Sequence, residues 1–341
     1  MIKQLLKPVL ITCIFAGLLA GCSSSEKKEV QTIFGYSMGT SYSVKLVAGF
    51  NEGRNLQLGI EGVLANINSE MSTYLPNSDL SKFGLQKINE KLIVDQETAY
   101  VVSKSLEISN FTQGNFDPTI APLVDLWGFG PTARNNEMPD KSEIEASLKN
   151  IGYKAVAVDL SDNTLIKTAP RELDLSAIAK GYAVDQVAEF LEVKGFSDYL
   201  VEVGGEMRIS GHKPENQAWR IAIEKPVVDE RAPFRTLSLN SGAIATSGDY
   251  RNYFEFNGQR FSHTIDPKTG YPVDHDLASV TVLRASCMEA DALATAFMVM
   301  GKDQALEFAH QHDIATFIIY KENETFLSVQ SDAFTKEFGL I

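Results

Sequence analysis

The chain has 341 residues, 44% apolar and 22% charged, with a formal charge of −13. That length suits one large domain or two lobes around a cleft. The acidic balance argues against non-specific nucleic-acid binding, and an anionic ligand would need local help, for which a divalent cation is the obvious source.

The first 21 residues read as a secretory leader. Lys3 and Lys7 flank its start, Val9 to Leu19 is almost wholly apolar but short for a membrane span, and Leu19-Ala-Gly-Cys22 follows. This small-small-Cys ending resembles a bacterial lipoprotein processing site, which implies cleavage before Cys22 and acylation of its thiol; two acyl chains anchor a protein firmly. Residues 22–30 ("CSSSEKKEV") then form a lipidated, flexible tether, and residues 31–341 the folded domain. Loss of Lys3 and Lys7 takes the formal charge from −13 to −15. Of the three cysteines, Cys13 leaves with the leader and Cys22 is acylated. Cys287 then has no partner for a disulfide and reads as a buried small hydrophobe.

Gln31 to Val47 alternates as strand, turn at Met38-Gly-Thr40, and strand. Helical spacing marks Gln57 to Met71, Thr98 to Thr112, Lys141 to Ile151 after Pro139-Asp140, and Ala177 to Val193. Strands follow at Tyr199–Val203, Glu206–Ser210, Trp219–Glu224, Thr236–Leu239 and Ala243–Thr246, with a turn at Gly204-Gly205. Tyr253–Phe256 and Phe261–Ile265 read as a hairpin over Asn257-Gly258. Ser279–Leu283 leads into a helix running to Met300, and Thr316–Tyr320 with Thr325–Val329 completes the pattern. Hairpins without regular strand–helix alternation predict an α+β fold, with mixed, largely antiparallel sheets and flanking helices.

The nucleotide-phosphate signatures G-x-G-x-x-G and G-x-x-x-x-G-K-[ST] are absent from the sequence, as are C-x-x-C, H-E-x-x-H and G-x-S-x-G. Four stretches offer chemistry instead. In Asn115-Phe-Asp-Pro-Thr-Ile-Ala-Pro through Leu126-Trp-Gly-Phe-Gly130, two prolines exclude a regular helix, and Phe116, Trp127 and Phe129 offer stacking surfaces or simply pack. In Asp174-Leu-Ser-Ala-Ile-Ala-Lys180, Asp174 or Ser176 would cap the following helix, while Lys180 opposes its dipole. A solvated lysine fits that placement, and so does one facing an acidic partner. His263 lies on the strand that feeds the Asp266-Pro-Lys-Thr-Gly270 turn, as a structural residue or as a general base. Finally, Ser286-Cys-Met-Glu289 fits a capping box, which sets Asp291 inside the last helix, one turn before Thr295. Such a carboxylate needs a partner beside the core; a hydrogen bond to Thr295 or to backbone would serve, and the two oxygens also suit Mg²⁺.

These motifs, in this order, resemble the ApbE family of FAD:protein FMN transferases. The likeness runs through Met38-Gly-Thr40, Met71-Ser-Thr-Tyr74 with Ser78-Asp79, and Phe116-Asp-Pro with Leu126-Trp-Gly-Phe-Gly130. It continues through Asp174 to Tyr182, Val203-Gly-Gly-Glu206, Thr246-Ser-Gly-Asp249, His263-Thr-Ile-Asp-Pro267 and Ala290 to Thr295. The resemblance implies two lobes around a flavin-nucleotide cleft, and transfer of the FMN half of FAD to a Thr or Ser hydroxyl of an acceptor protein, with release of AMP. It implies Mg²⁺ held by Asp291, Thr295 and the main-chain oxygen of Ala177, a position where some relatives carry a hydroxyl. FAD would contact Met38, Tyr74, Asn115, Phe116, Asp117, Asp174, Lys180 and Ile265, and His263 or a nearby carboxylate would take the hydroxyl proton. The implied acceptors are flavin-carrying subunits of membrane redox pumps related to sodium-translocating NADH:quinone oxidoreductase. The expected location is periplasmic and lipid-anchored, at the inner membrane by the acceptors' location, with the outer membrane as the alternative. A Mg²⁺-dependent FAD pyrophosphatase and a non-catalytic flavin-binding lipoprotein are the competing readings.

Overall fold

Alternating burial marks the first strands of the central sheet, whereas its inner strands are buried on both faces. In the computed structural model, which describes residues 28–49, 52–132, 137–227, 232–248, 253–256, 259–323 and 325–340, eight strands pair antiparallel. Their order is Glu29–Ser37, Thr40–Ala48, Tyr199–Val203, Glu206–Ser210, Ser241–Gly248, Leu277–Arg284, Ala315–Glu322 and Thr325–Gln330. Successive side chains of a strand point to opposite faces, and this sheet is covered on both. Ala243, Ala245, Val280 and Val282 join the main core with the helices Gln57–Met71, Ala179–Val193 and Cys287–Met300. Ile244, Leu283, Phe317 and Ile319 face the other way, against the ribbon Trp219–Glu224 and Pro233–Leu239 and the helix Asp332–Phe338. A third, smaller core gathers Leu123, Trp127, Ile144, Phe254, Phe261 and Ile265. The α+β architecture is therefore the expected one.

Local departures from the sequence reading have identifiable causes. The first strand begins at Glu29, because Glu29 and Val30, the end of the expected tether, pair with Ala48 and Val47. Pro122 does not prevent a short helix at Ala121–Leu126, since it lies in the first turn, where its missing amide breaks no bond. Neither Asp174 nor Ser176 caps the Ala179–Val193 helix: Ile178 holds the cap position, and the Asp174 carboxylate accepts the Ser176 amide at 2.8 Å instead. The second hairpin strand is Gln259–Ser262, so His263 falls just beyond it and not on it; the Asn257-Gly258 turn lies outside the described residues, as do Cys22 and Asp249. The box at Ser286 is half formed, with Ser286 Oγ accepting the Glu289 amide at 3.4 Å while the Glu289 side chain pairs with Arg284 at 3.5 Å. Among the described residues no helix is long and apolar enough to cross a membrane.

Candidate active site

Asp291 is 3% exposed and sits where the Cys287–Met300 and Ala179–Val193 helices touch. The contact is close because Gly181 has no side chain: a Cβ there would lie 2.4 Å from the Cys287 carbonyl and 2.8 Å from Asp291 Cβ. Gly181 donates its amide to Asp291 Oδ2 at 3.0 Å. Gly181 is the third residue of its helix, where the amide has no intrahelical acceptor, so Asp291 satisfies a donor that the helix start leaves free. Thr295 is not bonded to Asp291; its Oγ1 lies 3.2 Å from Ser247 Oγ on the neighbouring strand. Of the two plain partners expected for Asp291, Thr295 is therefore not used, and a backbone amide, that of Gly181, is.

Lys180 enters the same space. Its Nζ donates to the Ser176 carbonyl at 3.1 Å, and lies 3.5 Å from Glu206 Oε1 and 3.9 Å from Asp291 Oδ2. Burial alone would push Lys180 down, but Asp291 and Glu206 outweigh it and raise its pKa. Burial likewise drives Glu206 up to about 7 and raises Asp291, with Lys180 opposing both shifts. The cluster holds two buried carboxylates against one ammonium, and Glu206 Oε2 has no hydrogen-bond partner among the described residues. Hard oxygen donors with a residual negative charge fit a divalent cation. Cys287, fully buried, has its thiol raised well above the ordinary value by burial first and by Asp185, Asp291 and Glu206 next, which fits the inert reading.

The other sequence candidates surround this centre unevenly. Met38 takes φ +50° in the first turn and packs on the main core. Next to that turn, Thr40 Cγ2 lies 3.1 Å from where a Gly204 Cβ would stand, so the turn reaches the Lys180–Glu206 pair. Asp174 lines a cavity with Thr73, Leu80, Leu85, Val124 and Glu172. Tyr74, two-thirds exposed, crosses toward Phe129, whose ring meets His263 edge-on at 6.3 Å. Asn115 accepts from Lys268 Nζ at 2.8 Å. Phe116 and Trp127 are core residues, at 3% and 2% exposure, and present no open stacking face. Asp117 binds Thr119 and the Tyr153 amide, and Ile265 is buried in the third core. Glu206 was missed as a site residue, although the Gly204-Gly205 turn before it gave a signal: both glycines have positive φ, +67° and +111°.

Comparison with known proteins identifies the family. The ApbE family model matches residues 38–318. A Vibrio cholerae protein named FAD:protein FMN transferase is 42% identical over 321 residues, covering 93% of this chain and 95% of its own. A Haemophilus influenzae protein of the same name is 40% identical over 344 residues, covering 98% of each. The crystal structure of Pseudomonas stutzeri flavinyl transferase ApbE in its apo form superposes with a TM-score of 0.85 at 36% identity, over 92% of this chain and 98% of that one. The flavin transferase ApbE from Vibrio cholerae gives 0.84 at 39%, over 91% and 100%. By sequence over nearly its whole length and by fold, the chain belongs to the ApbE family.

Proposed function

We propose that this chain is a flavin transferase that moves the FMN half of FAD onto a Thr or Ser hydroxyl of an acceptor protein and releases AMP. The observation that carries the reading is the cluster of the buried carboxylates Glu206 and Asp291 around the half-buried Lys180, set between elements that carry the family's motifs. Asp291, Thr295 and the Ala177 carbonyl would hold Mg²⁺, a reading supported by the excess of buried carboxylate and the orphaned Glu206 oxygen beside Asp291. When bound, Mg²⁺ neutralises pyrophosphate charge and stabilises the departing AMP phosphate.

The chain's own residues orient and deprotonate. Lys180 faces the phosphates, while Met38, Tyr74, Asn115, Phe116, Asp117, Asp174 and Ile265 shape the flavin and nucleotide contacts, Phe116 and Ile265 as the packed backing of that wall. The acceptor oxygen attacks the FMN-side phosphorus, the bond from that phosphorus to the bridging oxygen breaks, and AMP leaves with that oxygen. His263, half-buried beyond its strand, takes the hydroxyl proton. The proposed acceptors are flavin subunits of membrane redox pumps of the sodium-translocating NADH:quinone oxidoreductase type. Acyl chains on Cys22 would hold the enzyme at the periplasmic face of the membrane.

Incubation with FAD, Mg²⁺ and an acceptor domain tests this by in-gel flavin fluorescence and AMP release. Label on the acceptor band supports transfer; AMP and FMN without label would make the chain a hydrolase, and intact FAD a carrier. Asp291→Ala should lose Mg²⁺-dependent turnover by at least about 100-fold, the scale of a lost transition-state charge contact, with an unchanged circular-dichroism spectrum. Full activity in that variant rejects the cation assignment.

A further inference from the structure

Glu206 has a position that the transfer reaction alone does not explain. It opens the strand Glu206–Ser210, is 5% exposed, and is fixed by the Gly204-Gly205 turn; a Cβ on Gly204 would lie 3.2 Å from Glu206 Oε2 and 3.3 Å from Lys180 Cδ. Its Oε1 is 3.5 Å from Lys180 Nζ, and its Oε2 is buried without a hydrogen-bond partner among the described residues. Lys180 stands between Glu206 and Asp291 at 3.5 and 3.9 Å, both longer than a charge-assisted hydrogen bond of about 2.8 Å. The ammonium is therefore shared, and neither carboxylate holds it tightly.

A divalent cation arriving at Asp291 repels that ammonium. Half-buried, with the Ser176 carbonyl as its other acceptor, Lys180 needs a second counter-charge within reach if it is to stay in the cluster. We propose that Glu206 is a positioning residue that receives Lys180 when a divalent cation takes Asp291, so that the lysine yields the site without leaving it. The free Glu206 oxygen supplies the second acceptor this movement requires. The inference rests on the reading of Asp291 as a cation ligand, and it adds that cation affinity is set by a competition between Lys180 and the metal, with Glu206 as referee.

The test is Mn²⁺ titration of the purified protein without FAD, following free Mn²⁺ by electron paramagnetic resonance. Glu206→Gln should weaken Mn²⁺ binding by about tenfold, a size of coupling found between charges in contact, because Lys180 then stays on Asp291. In a Lys180→Met background the same Glu206→Gln change should alter affinity by no more than about twofold. Should Glu206→Gln fail to fold, as thermal unfolding would reveal, Glu206→Asp replaces it, with a smaller weakening that Lys180→Met again removes. Wild-type Mn²⁺ affinity in the Glu206 variant overturns the proposal. So does a weakening that persists without Lys180, which would make Glu206 a direct ligand. Asp291→Asn separates the two levels: retained Mn²⁺ binding there sinks the cation reading itself, whereas its loss beside a neutral Glu206→Gln removes only the lysine-receiving role.

Discussion

Asp185 shows how a residue with no reacting atom can govern the site. It accepts from Ser286 Oγ at 2.8 Å, from the Cys287 and Met288 amides at 3.0 Å each, and from Arg208 Nη1 at 3.2 Å. It thus caps the Cys287–Met300 helix from outside, satisfying amides that a helix start leaves free, and fixes the turn preceding Asp291. Asp185→Ala should cost about 1–3 kcal/mol, because it leaves two helix-end amides without their acceptor and Arg208 with Glu192 alone; a urea titration followed by circular dichroism measures it. A loss below about 1 kcal/mol would mean that the network is replaced by water. The sequence showed Asp291 and Thr295 as a pair needing an explanation, and Ser286 as a cap. It did not show Asp185, whose partner lies 101 residues away, because spacing within one helix carries no information about a carboxylate supplied by another. Glu206 was hidden for the same reason: its partners come from two different helices.

Elements were more legible than their junctions. Periodicity located the Gln57–Met71 helix to the residue and the Cys287–Met300 helix from its cap to its last turn, since both follow a buried stripe. It passed over Asp79–Leu85 and Lys302–Gln311, which are short and follow a turn or a glycine that reads as a stop. The crossing at Gly181 can be tested by one methyl group. Gly181→Ala should destabilise by about 1–3 kcal/mol through overpacking, because the obstruction is the Cys287 backbone carbonyl and not a movable side chain. It should also weaken Mn²⁺ binding, since Asp291 is the next residue met, its Cβ at 2.8 Å; unchanged thermal stability would show that the helices part freely.

A second junction joins the last turn of Gln57–Met71 to the start of the Gln96–Phe111 helix, where Glu70, Asp95 and Glu97 bring oxygens within 4.8 Å of one another. Burial first, then Asp95, Glu97 and Asp79, raise Glu70 to about 7. A carboxyl raised on folding stabilises fully below its unfolded value, about 4.3, and that contribution disappears as pH rises through about 7. Relative to wild type, Glu70→Gln should therefore gain stability progressively between about pH 4.5 and 7 and keep the gain above, as urea midpoints across that range will record. A pH-independent difference would show that Glu70 titrates normally.

At the scale of the whole molecule, charge is the property most plainly written in the composition and the one most at odds with the proposed substrate. A chain of net charge −13 repels a dinucleotide pyrophosphate at long range, and a divalent cation held as proposed at Asp291 would offset this only near contact. Exposed charges are screened beyond about 10 Å at 0.1 M salt, whereas the Lys180–Glu206–Asp291 group, with its buried carboxylates, is screened far less. Raising NaCl from about 20 to 200 mM at saturating Mg²⁺ should then lower KM for FAD by relieving the surface repulsion, while kcat, fixed inside the cluster, stays level. Initial rates at each salt concentration separate the two constants. A KM that rises with salt would mean that attraction at the site mouth outweighs the acidic surface, and would place the steering charge on Lys180 and Lys268 beside Asn115 instead of on the molecule's overall field.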